Sequence, residues 1–147
     1  MAIELSNESN SQCDGDGLIS VAGFTLTTMG VHPDSDVSIT LVDEDRMSEL
    51  HVEWMDLEGP TDVLSFPMDE MRPNSHEEGP GIVGDIVLCP AFASVQAVNH
   101  SLDDELALLT IHGILHCLGY DHAEKEEELV MFALQEKILS TWKSHSR

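Results

Sequence analysis

The spacing of hydrophobic positions changes along the chain. "MAIELSN" (1–7) alternates apolar and polar residues and predicts a short strand, followed by the polar, glycine-punctuated loop "NSQCDGDG" (10–17). In "LISVAGFTLTTMGV" (18–31), Leu18, Val21, Ala22, Leu26 and Met29 fall near helical spacing, and Gly30 ends the pattern. "DVSITLVDED" (36–45) predicts a strand, "MSELHVEWM" (47–55) a short helix or turn, and "TDVLSFPM" (61–68) a strand stopped by Pro67. A long loop through "DEMRPNSHEEGPG" (69–81) is rich in turn formers and acids, a length usually found in functional or mobile segments. "GIVGDIVLCP" (81–90) is almost continuously apolar, as expected of a strand buried on both faces. Three helical stretches follow at 91–100, 102–118 and 124–143. No repeat and no linker interrupts the chain. Strands first and helices last predict a small α+β or three-layer architecture, with residues 1–147 forming one domain.

The middle C-terminal helix has readable ends. Ser101 is placed to cap it, Asp103, Asp104 and Glu105 suit the positive end of its dipole, and Gly119 fits the position just past its last turn. Within it, "HGILHCLGYDH" (112–122) puts His112 and His116 one turn apart on one face. Gly119 lets the chain reverse, so that His122 can return toward the same point. Three imidazoles on one side of an ion leave a fourth tetrahedral position open, the arrangement of a catalytic rather than a structural zinc. A lone buried histidine is more often a hydrogen-bonded core residue, but the full spacing H-x3-H-x2-G-x2-H points to metal binding. Asp121, beside the third histidine, is either a hydrogen-bond partner for a ligand or an ordering group in the turn.

The spacing is that of the metzincin proteases except at one position, where Gly113 replaces the glutamate that serves as general base. Amide hydrolysis depends on protonation of the leaving amine. Phosphodiester hydrolysis can lean more heavily on a Lewis acid, and three neutral ligands leave the metal its full charge. A peptidase is therefore disfavoured. Other acidic patterns carry less. "QCDGDGLIS" (12–20) resembles part of a calcium loop but lacks the bidentate glutamate, since position 12 of that register is Gly23. "EKEEELV" (124–130) reads as the solvated start of the last helix, with Met131, Phe132 and Leu134 as core. Asp85, after Gly84, caps a turn or faces the metal cleft.

Charge alters the choice of partners. There are 28 acidic and 6 basic residues, a formal net charge of −22, with no basic run. Such a surface repels polyanions, so any nucleic-acid contact requires a local positive feature. No basic n-region or apolar h-region opens the chain, and no apolar run approaches a membrane span. Cys13, Cys89 and Cys117 have no paired spacing and suit a reducing cytoplasm.

Together, "HGILHCLGYDH", "GPTDVLSFPM" (59–68) and "GDIVLC" (84–89) resemble, in order and spacing, the motifs of the bacterial YbeY family of endoribonucleases and ribosomal-RNA maturation factors. The likeness covers most of the chain after about Leu18. It implies a compact α/β domain, a small mixed sheet packed by helices, with one zinc ion (Zn2+) per chain held by His112, His116 and His122. It further implies cytoplasmic hydrolysis of single-stranded RNA, processing of the 16S rRNA 3′ end and ribosome quality control. The implied partners are ribosomal RNA and small-subunit ribosomal proteins, with neither membrane nor DNA. Members commonly carry an arginine a few residues before "TDVLSF"; Met55 stands there in this chain, and Arg46 and Arg72 are the nearest guanidinium groups. An alternative of another class is a metal-stabilised ribosome-assembly factor with weak or no nuclease activity, because an acidic surface suits basic ribosomal proteins.

Overall fold

The segments with alternating or continuous apolar character build one four-stranded sheet in the order β1-β2-β4-β3. The computed structural model describes residues 2–55 and 61–145, Met55 by its backbone alone. Along the chain run β1 (Ala2–Asn7), α1 (Gly15–Thr28), β2 (Asp36–Leu41), α2 (Glu44–Met55), β3 (Val63–Pro67), β4 (Ile82–Leu88), α3 (Pro90–Gln96), α4 (Leu102–Cys117) and α5 (Lys125–His145). β1, β2 and β4 are mutually parallel, whereas β3 joins β4 antiparallel at the edge. This is the expected mixed sheet packed by helices. Pro67 is the last residue of β3, and an edge strand tolerates its missing N–H.

β4 is buried on both faces, as its unbroken apolar run predicts. Ile86 and Leu88 enter the main core with α1 and α4, whereas Val87 joins a smaller cluster with Leu64, Val42 and Met47 of α2. Asp85 shares the Val87 face, because successive strand residues point to opposite sides. Its carboxylate accepts a hydrogen bond from the Ser38 hydroxyl (2.8 Å) on the neighbouring strand. Asp85 therefore faces away from α4 and does not enter the histidine cleft.

α4 is the central helix. Leu106, Ile111, Ile114 and Leu115 are completely buried, each worth about 1.5–3 kcal/mol relative to exposure. It contacts β3, β4, α1, α3 and α5, so little of it is left for solvent. Both ends match their sequence signals. The Ser101 hydroxyl accepts from the Asp104 amide (3.1 Å), and at the other end the Gly119 and Tyr120 amides donate to the His116 and Leu115 carbonyls (3.1 and 3.0 Å). That pair of bonds is the Schellman closure, and it requires Gly119 at φ +101°.

Two segments differ from expectation, and a third, left open between a functional and a mobile role, is fixed in place. α1 begins at Gly15 rather than Leu18, because the Asp14 carboxylate caps it by accepting from the Gly17 amide (3.0 Å), which accounts for the calcium-loop look-alike. α3 stops at Gln96 instead of reaching His100, which instead pairs with Glu105 of α4 (2.6 Å). The loop between β3 and β4 is anchored. The Asn74 amide donates to Met29 at the end of α1 (2.7 Å), Ser75 is buried, and Asp69 and Ile82 exchange two hydrogen bonds at its base.

Candidate metal centre

The three histidines singled out by spacing converge. Ring centroids stand 6.0 Å apart for His112 and His116, 5.4 Å for His112 and His122, and 5.8 Å for His116 and His122. α4 presents the first two from one face, and the Gly119 turn carries the third back to them. His112 and His116 are half-buried, whereas His122 is exposed, so the cluster opens to solvent on one side.

The helical imidazoles are oriented by their far nitrogens. His116 Nδ1 lies 2.8 Å from the Tyr120 carbonyl, which can only accept, so this nitrogen carries the proton. His112 Nδ1 lies 3.0 Å from Gln135 Oε1 on α5 and donates likewise. In the neutral ring this arrangement makes Nε2 the nitrogen free to ligate a metal, and an outer hydrogen bond of this kind fixes ring orientation. Burial is the main cause that holds the His112 imidazole below its ordinary pKa. The Gln135 bond works against it, His122 and His116 add to the depression, and the Asp62 carboxylate weakly opposes it. A neutral His112 is a competent ligand.

The donor set suits a divalent ion of the zinc type, three imidazoles with an adjacent carboxylate. Among the described residues, the ligand atoms of His116, Asp121 and His122 lie within 4.8 Å of one another, while His112 stands outside that tight set. Asp121 is thus closer to the centre than a turn-ordering role alone requires, although its Oδ1 also accepts the His122 amide (2.7 Å).

Gly113 has a packing explanation. A Cβ there would stand 3.1 Å from Ile86 Cγ2 and 3.2 Å from the Ser65 hydroxyl, so α4 presses directly on β3 and β4. A protease's glutamate has no room at this position. Gly84 plays the matching role on the strand, where a Cβ would lie 2.5 Å from the Phe66 carbonyl and 2.9 Å from Cys117 Sγ.

Two residues of the site escape sequence reasoning. Phe132, expected in the core with Met131 and Leu134, is 38% exposed, and its ring flanks His112 and His122 at 6.3 and 6.2 Å. Gln135 supplies the outer hydrogen bond. Its signal was a polar residue on the buried stripe Met131, Gln135, Ile138 of α5. The side chain of Met55 lies outside the described residues. Among those described, no helix is long and apolar enough to cross a membrane.

The geometry agrees with what this chain resembles. It is 57% identical over 148 residues to the Endoribonuclease YbeY of Nocardia farcinica, covering 97% of this chain and 80% of that protein. It is 58% identical to the Rhodococcus erythropolis protein of that name (97% and 82% covered) and 55% identical to one from a Mycobacterium species (99% and 85%). The solution structure of TM1509 from Thermotoga maritima superposes with a TM-score of 0.62 at 30% identity, covering 97% of this chain and 93% of that one. Residues 6–143 match the sequence model described as Endoribonuclease YbeY. With motif, fold and near full-length likeness in agreement, the chain belongs to the Endoribonuclease YbeY family.

Proposed function

We propose that this chain, as one domain over residues 1–147, is a zinc-dependent endoribonuclease specific for single strands, acting in 16S rRNA 3′-end maturation and ribosome quality control in the cytoplasm. Family membership supports RNA as the substrate. The observation that carries the reading is the convergence of three imidazole rings, His112, His116 and His122, with Nδ1 of both helical rings engaged by Gln135 and the Tyr120 carbonyl.

In this reading His112, His116 and His122 hold one zinc ion per chain, with Asp121 beside them. When bound, the ion supplies Lewis acidity toward a phosphodiester. Gln135 and the Tyr120 carbonyl engage Nδ1 of the helical imidazoles and fix the rings in direction. The Phe132 ring flanks His112 and His122 on one side of the site. No glutamate occupies position 113, so a peptide leaving group would find no proton donor from that position. The proposed partners are ribosomal RNA and small-subunit ribosomal proteins, not DNA or membranes; the unpaired Cys13, Cys89 and Cys117 suit the cytoplasm.

A second reading is favoured by the net charge of −22: a metal-stabilised assembly factor that docks basic ribosomal proteins and cleaves little or nothing. Incubation of purified protein with a 16S rRNA precursor fragment, beside His116→Ala, separates the two. Cleavage lost in the variant supports the nuclease. Equal cleavage by both, or none by either, moves the assignment to the assembly factor.

A further inference from the structure

β3 and β4 are joined by a loop that places a cation, Arg72, on a cavity that His116 also lines. A cavity of about 530 Å³ lies between this loop and the end of α4, and its walls include Arg72, Glu70 and Pro67 on one side and His116 and Gly119 on the other. Arg72 is exposed and makes no ion pair among the described residues, whereas Arg46 is tied to Glu49 (3.1 Å) and Lys143 to Asp104 (2.7 Å). Arg72 also borders a smaller depression with Asp69, Glu70 and Glu78, so its surroundings are otherwise acidic.

The segment is held in place. Asn74 is bonded to the end of α1, Met71 packs against the core, and Pro73 restricts the backbone of the residue before it. Glu70 and Asn74 both adopt positive φ (49° and 58°), conformations kept where surrounding contacts enforce them. The backbone that carries Arg72 is therefore held at the cavity rather than on a free arm, with the guanidinium itself unpaired among the described residues.

We propose that Arg72 is the residue that binds a backbone phosphate of single-stranded RNA beside the histidine site. At physiological salt, charges beyond about 8 Å are largely screened, so a phosphate entering this cavity meets Arg72 and Glu70 rather than the whole charge of −22. A guanidinium offers a phosphate two parallel donors, which fixes the strand's direction as well as its position. Arg46 is a poor candidate for the same task, because α2 packs on the sheet face opposite α4.

The assignment rests on the nuclease reading for its substrate, and its test is separable from it. Zinc-loaded wild type, Arg72→Ala, Arg72→Lys and Arg46→Ala are titrated against a fluorescent 2′-O-methyl single strand that cannot be cleaved through its 2′-hydroxyls, over a range of salt. Arg72→Ala is expected to weaken binding at least tenfold and to lower the slope of log K against log salt by about 0.7, one phosphate contact on a single strand. Arg72→Lys should keep the slope and recover part of the affinity, and Arg46→Ala should match wild type. Unchanged affinity and slope in Arg72→Ala overturn the proposal, as does an equal loss in Arg46→Ala. A wild type that binds through Arg72 but cleaves no precursor RNA leaves this assignment standing and removes the nuclease reading. A wild type that cleaves RNA, with Arg72→Ala binding as well, does the reverse. A wild type that neither binds nor cleaves removes both.

Discussion

Gly113 of α4 and Ile86 of β4 meet so closely that a single added methyl would stand 3.1 Å from Ile86 Cγ2. Two opposing effects decide what Gly113→Ala does. Alanine in a helix interior gains about 1 kcal/mol over glycine. Overpacking costs about 1–3 kcal/mol, and Ile86, which would have to shift by a few tenths of an ångström, is fully buried on an inner strand. The expected result is a net loss of about 1 kcal/mol in denaturant unfolding. Gly113→Glu, which restores the protease pattern, should fail to fold stably and should show no peptidase activity.

Gly119 presents the opposite case. Nothing lies within 4 Å of where its Cβ would be, yet φ is +101°. Gly119→Ala should cost about 1–2 kcal/mol through the backbone alone. Because this turn returns His122 to the cluster, zinc affinity should fall with stability, as titration with a competing chelator would measure. A variant that loses stability while binding zinc as tightly as wild type would contradict that coupling.

The difference between these glycines shows what could be read without a structure. The helix ends at Ser101 and Gly119 and the i, i+4 histidines are local patterns, each written within a few neighbouring residues, and all three stand where expected. The strand order and the role of Gly113 depend on pairings across the sheet, which no local pattern encodes. Gln135 and Phe132 reach the site from another helix. Only the oddity of a glutamine on a buried stripe hinted at the first. Arg72 was visible as a nearby cation, but only the anchored loop places it on the cavity that His116 also lines.

The ligand set makes its own prediction. If His112, His116 and His122 are the ligands, alanine at any of the three should abolish stoichiometric zinc binding, while Asp121→Ala should weaken it only modestly. The reverse ranking of His112→Ala and Asp121→Ala would assign the third ligand to the carboxylate. Gln135→Leu removes an outer partner and should lower affinity about 10–100-fold with the fold retained. In wild type, zinc at a hundred times its dissociation constant should add about 2.7 kcal/mol of stability.

Thiol chemistry should separate the cysteines. Cys89 and Cys117 are buried, and burial above all pushes the Cys117 thiol up to about 12, with Asp85 adding to it. A disulfide reagent near pH 8 should modify Cys13 first and the other two only on unfolding.

The Cys89 thiol is likewise raised, mainly by burial. Its folded pKa exceeds the unfolded value near 9.0, so the folded state keeps a proton that the unfolded chain releases. Stability is therefore full below pH 9 and falls as pH rises past it. The Cys117 thiol acts in the same direction, so Cys89→Ala should lessen that alkaline decline without abolishing it, and an unchanged pH profile would exclude the Cys89 thiol as a contributor.

The order in which the chain is synthesised bears on when the site can exist. β2 must find β4 across a span of 47 residues, from Ser38 to Asp85, and both strands are made before α4. Gln135, which orients His112, belongs to the last helix. A nascent chain can thus carry its sheet, and even the helix with two of the histidines, while still unable to set the first of them in place. If the three histidines bind a metal, the site waits on α5 for the group that orients its first ligand, so its assembly trails that of the sheet and of α4.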